Sequence, residues 1–286
     1  MDTPEFDPPL QNCQLCGSAD IGAYDHDYNG ILIEKCAQCG VKFMNPQYTD
    51  GHLARFYSNY HENLVAKGLQ EERLRAEKRI EYYSLYFDLI EQYGPKGKFL
   101  GVGSGDGLEL ETAQGKGWDV EGYDVDPDDT KKVSEKLGIV VHCGEFTELE
   151  FEKESYDCVY MHHVIEHPKD PGAYIEKVYS LLKPGGIYFL STPNIGSTAS
   201  VYKTLLGKAG LKKRRGKHYD TWHHLFYYTP DVMKTILEKH HGFDVKYWRS
   251  GAEYRPKRSK LTQKIILNYN ILPFKSTFMM IAQKPV

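Results

Sequence analysis

Short apolar runs alternate with longer segments of mixed polarity from residue 97 to the end of the chain. The apolar runs have the length of strands, and the segments between them carry apolar residues at helical spacing. Strands are predicted near residues 98–102, 119–123, 139–142, 156–161, 186–191, 243–247 and 277–282. The alternation predicts an α/β fold, in which helices cover both faces of a parallel sheet. Functional residues are expected at the carboxyl ends of its strands, where ligands of such sheets bind.

The segment from residue 50 to residue 93 has a different pattern. Its apolar positions, which include Leu53, Phe56, Tyr83 and Phe87, recur at helical spacing. They predict a helical linker over residues 46–95, most of whose aromatic side chains pack against the sheet while a few cover a ligand.

A glycine-rich turn follows the first of these strands, with glycines at 101, 103, 105 and 107. The next strand ends at Asp124, whose carboxylate can accept hydrogen bonds from two ribose hydroxyls. This layout is typical of a site for an adenosine-containing cofactor. The dinucleotide motif G-x-G-x-x-G fails in every register, because residues 106, 108 and 110 are Asp, Leu and Leu, and no triphosphate-binding loop is present in the sequence. An adenosine cofactor without phosphates points to S-adenosylmethionine.

Five blocks of sequence then occur in a characteristic order: KFLGVGSGDG, VEGYDVDP, CGEFTEL, YDCVYMHHVIEHPKDP and LLKPGGIYFLSTPN. Through these blocks the chain from Lys96 to Gln283 resembles the class I S-adenosylmethionine-dependent methyltransferases. The resemblance implies a Rossmann-like, seven-stranded, doubly wound sheet with an antiparallel seventh strand. It assigns residues 96–286 to the methyltransferase domain and places a substrate-binding insert at about residues 195–228.

The resemblance also implies which residues surround S-adenosylmethionine. These residues follow the ends of four strands and are Gly101, Gly103, Ser104, Gly105, Gly107, Asp124, Val125, Glu145, Phe146 and His162. Asp124 is expected to hold the ribose, with Asp126 as the alternative. Glu145 and Phe146 are expected near the adenine.

Position 101 departs from the family pattern. The family usually has an acidic residue there, which orders the glycine turn and faces the amino group of the methionine tail, whereas this chain has Gly101. Asp106 and Glu109 are the candidates to replace that carboxylate.

Two cysteine pairs lie near the start of the chain, Cys13-x-x-Cys16 and Cys36-x-x-Cys39, and a glycine follows each pair. Tight turns of this kind place two thiolates on one side of a tetrahedral zinc ion, so the spacing predicts a four-cysteine zinc ribbon over residues 10–45. Four thiolates leave no open coordination position, which favours a structural Zn²⁺. Disulfides or free thiols are the alternatives.

Histidines supply the candidate catalytic groups. A hydroxyl acceptor must lose a proton, and an imidazole with a near-neutral pKa is suited to remove it. The candidates are His224 first and His223 second, both in the insert, and then His163 after the fourth strand. In a rival interpretation His223 and His224 bind a divalent metal with Asp220, as in some quinone-type O-methyltransferases. Tyr219, Trp222 and Tyr227 would then form the walls of the acceptor site.

A run of basic residues in the insert, at positions 212–215, is either a solvated loop or a basic lid over an anionic acceptor such as a nucleotide sugar. A second basic stretch at positions 255–260 could join it. Chains that pair a four-cysteine ribbon with this core resemble enzymes of polysaccharide, deoxysugar and secondary-metabolite pathways. O-methylation of a sugar or another small hydroxylated metabolite is therefore the expected activity, and N- or C-methylation of a small molecule is the alternative.

Composition narrows the remaining classes of function. The chain has 286 residues and a formal net charge of −3, so no overall positive charge attracts nucleic acid or a membrane surface. Its apolar runs are too short to span a bilayer, and the acidic, proline-containing start does not resemble a signal peptide, so a cytoplasmic protein is expected. An RNA methyltransferase and a non-catalytic binding module remain less favoured alternatives.

Overall fold

A seven-stranded sheet organises the larger part of the molecule. The computed structural model describes residues 3–56, 69–209, 216, 219–250 and 275–286. The strands of this sheet are β4 (Lys98–Val102), β5 (Asp119–Asp124), β6 (Val141–Cys143), β7 (Tyr156–His162), β8 (Leu182–Pro193), β10 (Asp244–Ser250) and β11 (Thr277–Gln283). Their order is β10-β11-β8-β7-β4-β5-β6, and β11 is antiparallel to both of its neighbours. The predicted α/β, Rossmann-like fold is confirmed.

The strand bounds agree with the sequence pattern to within two residues, except that β8 begins earlier and that β10 ends at Ser250 instead of residue 247. β8 begins at Leu182, four residues before the predicted start, and residues 183–186 form a bulge in its pairing with β7, with Gly185 at a φ of +77°. β6 begins at Val141, after the predicted start at residue 139.

Helices join the parallel strands and cover the sheet. They are α1 (Leu69–Ile90), α2 (Leu108–Gly115), α3 (Pro127–Leu137), α4 (Pro171–Leu181), α5 (Thr198–Lys208) and α6 (Pro230–Thr235), which continues as a π-helical turn, Ile236–His240. Three of them begin with proline immediately after an Asp or Thr cap. Proline lacks the N–H that a first helical turn leaves unsatisfied, and the capping side chain accepts a hydrogen bond from another of these N–H groups. Within the described residues, no helix combines the length and the apolar character needed to cross a membrane.

The carboxyl-terminal half of α1 packs on one face of the sheet through aromatic side chains. Phe87 stacks on Tyr160 at 5.7 Å between ring centroids, and Tyr160 stacks on Phe189 at 4.6 Å. Tyr83 and Tyr86 of the same helix lie with their rings 5.7 and 5.9 Å from His162, at the carboxyl end of β7. The helical spacing therefore marks mainly packing positions, and it also brings two tyrosines to the functional edge of the sheet.

A second, four-stranded sheet contains the cysteine segment. Its strands are β1 (Ile21–His26), β2 (Leu32–Cys36), β3 (Lys42–Met44) and β9 (Phe226–Tyr227), in the order β1-β2-β3-β9. The first three form antiparallel hairpins, and the fourth comes from the segment that follows the larger sheet's β8. Buried residues of both sheets belong to one continuous apolar cluster, which extends from Leu15 and Val41 to Tyr228 and Leu237.

Candidate active site

The glycine turn lies at the carboxyl ends of β4 and β5. Backbone N–H groups of Gly103 and Ser104 donate to the carbonyl of Tyr123 at 2.8 and 2.9 Å. The N–H of Gly105 donates to Oδ2 of Asp124 at 2.7 Å. The turn is thereby tied to the end of β5 that carries the predicted ribose-binding acid.

Two glycines of this turn are required by their surroundings. Gly103 has a φ of +75°, and a Cβ atom at this position would come within 2.4 Å of Val164 Cγ2. Gly107 has the same φ, and a Cβ atom there would come within 2.7 Å of Val133 Cγ1. Side chains other than glycine rarely adopt a positive φ, so both the space and the backbone geometry select glycine.

Leu110 explains the missing acid at position 101. A Cβ atom on Gly101 would come within 2.4 Å of Leu110 Cδ2, and one on Gly122 within 2.6 Å of Leu110 Cδ1. Leu110 therefore fills the space above both strands, and a carboxylate at position 101 has no room in this arrangement.

Of the two acids considered as replacements, Glu109 lies inside the site and Asp106 lies at its surface. Oε1 of Glu109 is 3.1 Å from Nδ1 of His162, and the two side chains are only 13% and 16% exposed. Asp106 is 53% exposed and pairs with Arg79, whose guanidinium also donates to the hydroxyl of Tyr83 at 2.8 Å. Arg79 is a residue that sequence reasoning did not single out, because nothing in its local pattern distinguishes it from other charges on α1.

In the Glu109–His162 pair, Glu109 is the ionised partner. Burial alone would raise the pKa of Glu109, but the hydrogen bond with His162, the charge of that histidine and Arg79 together lower it. Burial lowers the pKa of His162 in spite of the carboxylate beside it. A buried negative charge thus lies at the end of the glycine turn, which suits a cationic ligand group.

The structure separates the two aspartates that follow β5. Asp126 caps α3, and its carboxylate accepts from the N–H groups of Asp128 and Asp129 at 2.8 and 3.0 Å. Asp124 faces the glycine turn, and Val125 beside it is 55% exposed. Capping therefore occupies Asp126, whereas the carboxylate of Asp124 lies at the glycine turn.

The two residues expected near the adenine differ in exposure. Glu145 is exposed, and its carboxylate accepts from the hydroxyl of Thr147 at 3.2 Å. Phe146 is 0% exposed, with its ring 5.0 Å from that of Tyr123 and 5.1 Å from that of Tyr174. In this arrangement the ring of Phe146 belongs to the core and offers no free face to a ligand.

Ser104 and Asp124 make the site suitable for S-adenosylmethionine. Ser104 is 4% exposed, and its buried hydroxyl has no hydrogen-bond partner among the residues that the structure describes. Buried polar groups are nearly always paired, so a ligand at the turn would supply what this hydroxyl lacks. Together with the close backbone approach at the glycines, the carboxylate of Asp124 and the buried charge of Glu109, the donor set fits a cationic adenosine compound.

A buried carboxylate, Glu166, lies between the histidines that follow β7 and those of the insert. His163, which has a left-handed backbone with φ +57°, places Nδ1 3.2 Å from Oε1 of Glu166. Oε2 accepts from the hydroxyl of Thr192 at 2.9 Å. Burial raises the pKa of Glu166, but the hydrogen bond from His163 and the nearby His167 and His224 outweigh it and lower that pKa to about 2.

Three histidines gather beside Glu166. Ring nitrogens of His167, His223 and His224 all lie within 4.8 Å of one another. Nδ1 of His167 lies 3.0 Å from the carbonyl oxygen of His223, which fixes the ring's orientation. Burial lowers the pKa of His224 to about 3, so its imidazole is neutral. Three imidazoles this close together could hold a divalent metal, but Asp220, included in the rival interpretation, is exposed and is not part of this group.

A cavity of about 200 Å³ opens next to His224. Besides His224 it is lined by the end of β8 and the residues after it, by part of α5, by the insert and by the residue before β11, namely Pro193, Asn194, Ile195, Ser200, Lys203, Tyr219, Phe226, Tyr227 and Ser276. Tyr219 and Tyr227 were expected as walls of the acceptor site. Trp222, expected with them, is 38% exposed and does not line this cavity. Lys203 supplies a positive charge that sequence reasoning missed, since it is an ordinary lysine on an amphipathic helix.

The basic runs at positions 212–215 and 255–260 lie outside the described residues.

The four cysteines of the ribbon come together. Sγ of Cys13 is 3.6 Å from Sγ of Cys39, and Sγ of Cys16 is 3.5 Å from Sγ of Cys36. Sulfur atoms bound to one tetrahedral zinc ion are about 3.8 Å apart, given Zn–S bonds of about 2.3 Å. Gly17 and Gly40 close the two turns with φ of +71° and +80°. The hydrogen bond from Cys39 is the main cause that lowers the pKa of Cys13 to about 5, which favours a thiolate. The arrangement fits a zinc ribbon.

Comparisons with known proteins agree with this geometry. A family model described as a methyltransferase domain matches residues 73–247, which is more than half of the chain. A ubiquinone biosynthesis O-methyltransferase of Cereibacter sphaeroides is 29% identical over 147 residues, covering 50% of this chain and 58% of the relative. One from Parvibaculum lavamentivorans is 32% identical over 102 residues, covering 34% of this chain and 40% of the relative. The chain therefore spans about half the length of these curated relatives.

Solved structures share the fold at low sequence identity. A possible histamine N-methyltransferase of Thermotoga maritima has a TM-score of 0.54 at 16% identity, covering 82% of this chain and 98% of that one. A SAM-dependent methyltransferase of Archaeoglobus fulgidus has a TM-score of 0.51 at 22% identity, covering 76% and 98%. The chain therefore belongs to the methyltransferase domain family and has the fold of S-adenosylmethionine-dependent methyltransferases.

Proposed function

We propose that this protein transfers the methyl group of S-adenosylmethionine to a hydroxyl oxygen of a small molecule. The observation that carries the proposal is the position of His224. Its neutral imidazole lines a cavity at the carboxyl edge of the sheet where the glycine turn also lies. A base beside an acceptor cavity is what O-methylation requires of the protein.

The donor half of the site is assigned to the glycine turn. Asp124 would hold the ribose hydroxyls, and Gly103, Ser104 and Gly105 would contact the methionine portion. Glu109 would face the cationic tail. S-adenosylmethionine, when bound, supplies a methyl group already activated by its sulfonium. The protein therefore contributes mainly alignment of the acceptor, which can lower a barrier by roughly 7–11 kcal/mol in favourable cases.

The acceptor half removes a proton. Burial lowers the pKa of His224 to about 3, so its imidazole is neutral and a ring nitrogen can accept the proton of a hydroxyl in the cavity, although the low pKa makes it a weaker base than an ordinary histidine. Glu166 then stabilises the imidazolium that forms, since its carboxylate stays ionised in the interior. A neutral amine acceptor would need neither group, and this difference favours O-methylation over N-methylation.

The cavity suggests the size and charge of the acceptor. About 200 Å³ is smaller than the roughly 300–1,000 Å³ typical of pockets for drug-sized ligands, so the volume fits a single ring. Tyr219 and Tyr227 offer aromatic walls, and Lys203 would attract an anionic substituent. These features support a sugar, including a nucleotide sugar whose phosphates extend out of the cavity. They also accommodate a phenol, and the relatives named above are O-methyltransferases of ubiquinone biosynthesis.

The zinc ribbon is proposed to hold one structural Zn²⁺ through Cys13, Cys16, Cys36 and Cys39. Four thiolates complete the coordination sphere, so no substrate oxygen can reach the ion. The metal would supply stability to the ribbon and no step of the transfer.

Mass spectrometry after incubation with S-adenosylmethionine tests the proposal. The panel contains nucleotide sugars, free sugars, catechols and matched amines, and the expected result is the mass gain of one methyl group on a hydroxyl compound. Omission of the donor and the His224→Gln variant are the controls. Methylation of the amines alone would assign the protein to N-methylation, and absence of donor binding by calorimetry would leave a non-catalytic module. RNA that binds with a steep salt dependence and gains methyl groups would establish the nucleic-acid alternative.

A further inference from the structure

The hairpin between β1 and β2 contacts the segment that carries His224. Asp27 at this hairpin is 5% exposed, and Oδ1 accepts from the N–H groups of Asn29 and Ile31, both at 2.8 Å. Oδ2 accepts from the hydroxyl of Thr221 at 2.5 Å, and Thr221 is 1% exposed. The carboxylate thus ties the hairpin to a residue 194 positions later in the chain.

A second carboxylate of the same hairpin holds a wall of the acceptor cavity. Asp25 is 4% exposed, and Oδ2 accepts from the hydroxyl of Tyr219 at 3.2 Å. The ring of Tyr219 lines the cavity beside His224. Gly216, just before it, packs so closely on the hairpin that a Cβ atom would come within 2.4 Å of the carbonyl oxygen of His26.

The residues that follow His224 are fixed by β3, the third strand of the ribbon. The N–H of Met44 donates to the carbonyl of Leu225 at 2.8 Å, and Phe43 pairs with Phe226 in the antiparallel register of β3 and β9. The carbonyl of His224 itself accepts from the hydroxyl of Tyr227 at 2.7 Å. His223 and His224 therefore lie between two points, Thr221 and Leu225, that are both attached to the ribbon.

We propose that the zinc ribbon positions residues of the acceptor site. Asp27 is a positioning residue for His224, and Asp25 is a positioning residue for Tyr219. The strand β3 holds the residues that follow His224. The inference rests on the proposed role of His224. Two carboxylates buried at one interface would be costly unless their hydrogen bonds were used, and here each bond orients a segment of the cavity.

Thr221 gives the sharpest test, because the hydroxyl can be removed or kept with little change of volume. Thr221→Val is expected to lower kcat about 10- to 100-fold through misplacement of His224, while the donor Kd stays within about twofold. Thr221→Ser keeps the hydroxyl and is expected to retain most of the activity.

Asp25→Asn is expected to raise the acceptor KM more than it lowers kcat. Asp20→Asn, an exposed carboxylate of the same ribbon, is the matched control.

A second readout does not need a known acceptor. Diethylpyrocarbonate modifies neutral imidazoles according to their accessibility, and mass spectrometry of peptides reports each histidine. In Thr221→Val, and after removal of the ribbon metal by a chelator, the modification rate of His224 is expected to rise severalfold while that of His142 is unchanged. Circular dichroism and the donor Kd show whether the larger sheet stays folded.

The outcomes separate the two proposals. If His224 reactivity and kcat in Thr221→Val equal those of the wild type, the ribbon does not position the histidine, and the inference is overturned. If His224 reactivity rises but the wild type methylates no hydroxyl compound, the proposed function fails and the positioning role stands. Equal losses in Thr221→Val and Thr221→Ser would show a general packing defect and would also overturn it.

Discussion

The donor and acceptor halves of the candidate site are built in opposite ways. The donor half is local in sequence, since the glycine turn, Glu109, Asp124 and His162 lie within one run of strands and helices. The acceptor half brings together the hairpin at Asp27, the end of β8, and the insert at His224. Its contacts join residues that are 194 positions apart.

This difference has a physical cause. Parallel strands end at one edge of a sheet, so the residues that follow them meet there whatever the rest of the chain does. No such rule brings the residues of the acceptor cavity together, because the walls of the cavity depend on how the ribbon packs against the larger sheet. Changes in the donor half should therefore alter donor affinity, and changes in the acceptor half should alter turnover.

Gly103→Ala should have the largest effect on the donor half. The added Cβ would meet Val164 Cγ2 at 2.4 Å, and alanine disfavours the φ of +75°. We expect a loss of donor affinity of about 100-fold, or about 2.8 kcal/mol, measured by calorimetry. Gly115→Ala is the control, since a Cβ there has no neighbour within 4 Å. A Kd within threefold of the wild type would show that the donor does not use this turn.

His224→Gln should separate the halves most clearly. Removal of a general base lowers rates by roughly 10²- to 10⁴-fold, so kcat should fall at least about 100-fold while the donor Kd stays within about twofold. His142→Gln, which alters a histidine near Glu121 far from the cavity, serves as the comparison. Unchanged kcat would exclude His224 as the base, and a kcat loss that zinc or magnesium reverses would favour the metal interpretation of the three histidines.

The pH dependence of kcat/KM should sharpen the assignment of the base. A protonated imidazole cannot accept a proton, so activity falls as the pH drops through the pKa of the base in the free enzyme. Burial lowers the pKa of His224 to about 3, well below the usual value of about 6.5. The profile should therefore stay flat between about pH 8 and pH 5, without a step near 6.5. Such a step, with unchanged circular dichroism, would assign the base to a histidine of ordinary pKa.

Arg79→Ala should have the smallest effect. The pair with Asp106 is partly solvated, with side chains 33% and 53% exposed, and exposed ion pairs contribute about 0.2–1 kcal/mol. Donor affinity should change by threefold or less in calorimetry. Asp106→Ala, which removes the other partner, should give a similar value. A much larger loss in Arg79→Ala alone would mean that this guanidinium acts on the donor site itself, either directly or through Glu109, whose pKa it lowers.

The sequence correctly predicted those features that a local residue pattern or the family resemblance specifies. The strands, the glycine turn, the antiparallel seventh strand and the clustering of four cysteines all follow from local spacing or from the family resemblance, and the structure confirms them. The ring of Phe146 was assigned to the adenine because it follows β6, yet it is a core side chain. Its position in sequence could not show which way the ring turns, since that depends on Tyr123 and Tyr174 packing around it.

The sequence by itself determined the sheet, the glycine turn and the cysteine ribbon, because alternating polarity, left-handed glycines and cysteine spacing act over a few residues. Only the tertiary structure decided that Leu110 occupies the place of the missing acid, that Asp126 is used as a cap, and that the ribbon holds the segment bearing His224. These outcomes depend on which buried groups meet across long separations in the chain. The packing of buried side chains and the pairing of buried polar groups in the folded protein determine these three outcomes. A local sequence pattern therefore cannot predict them.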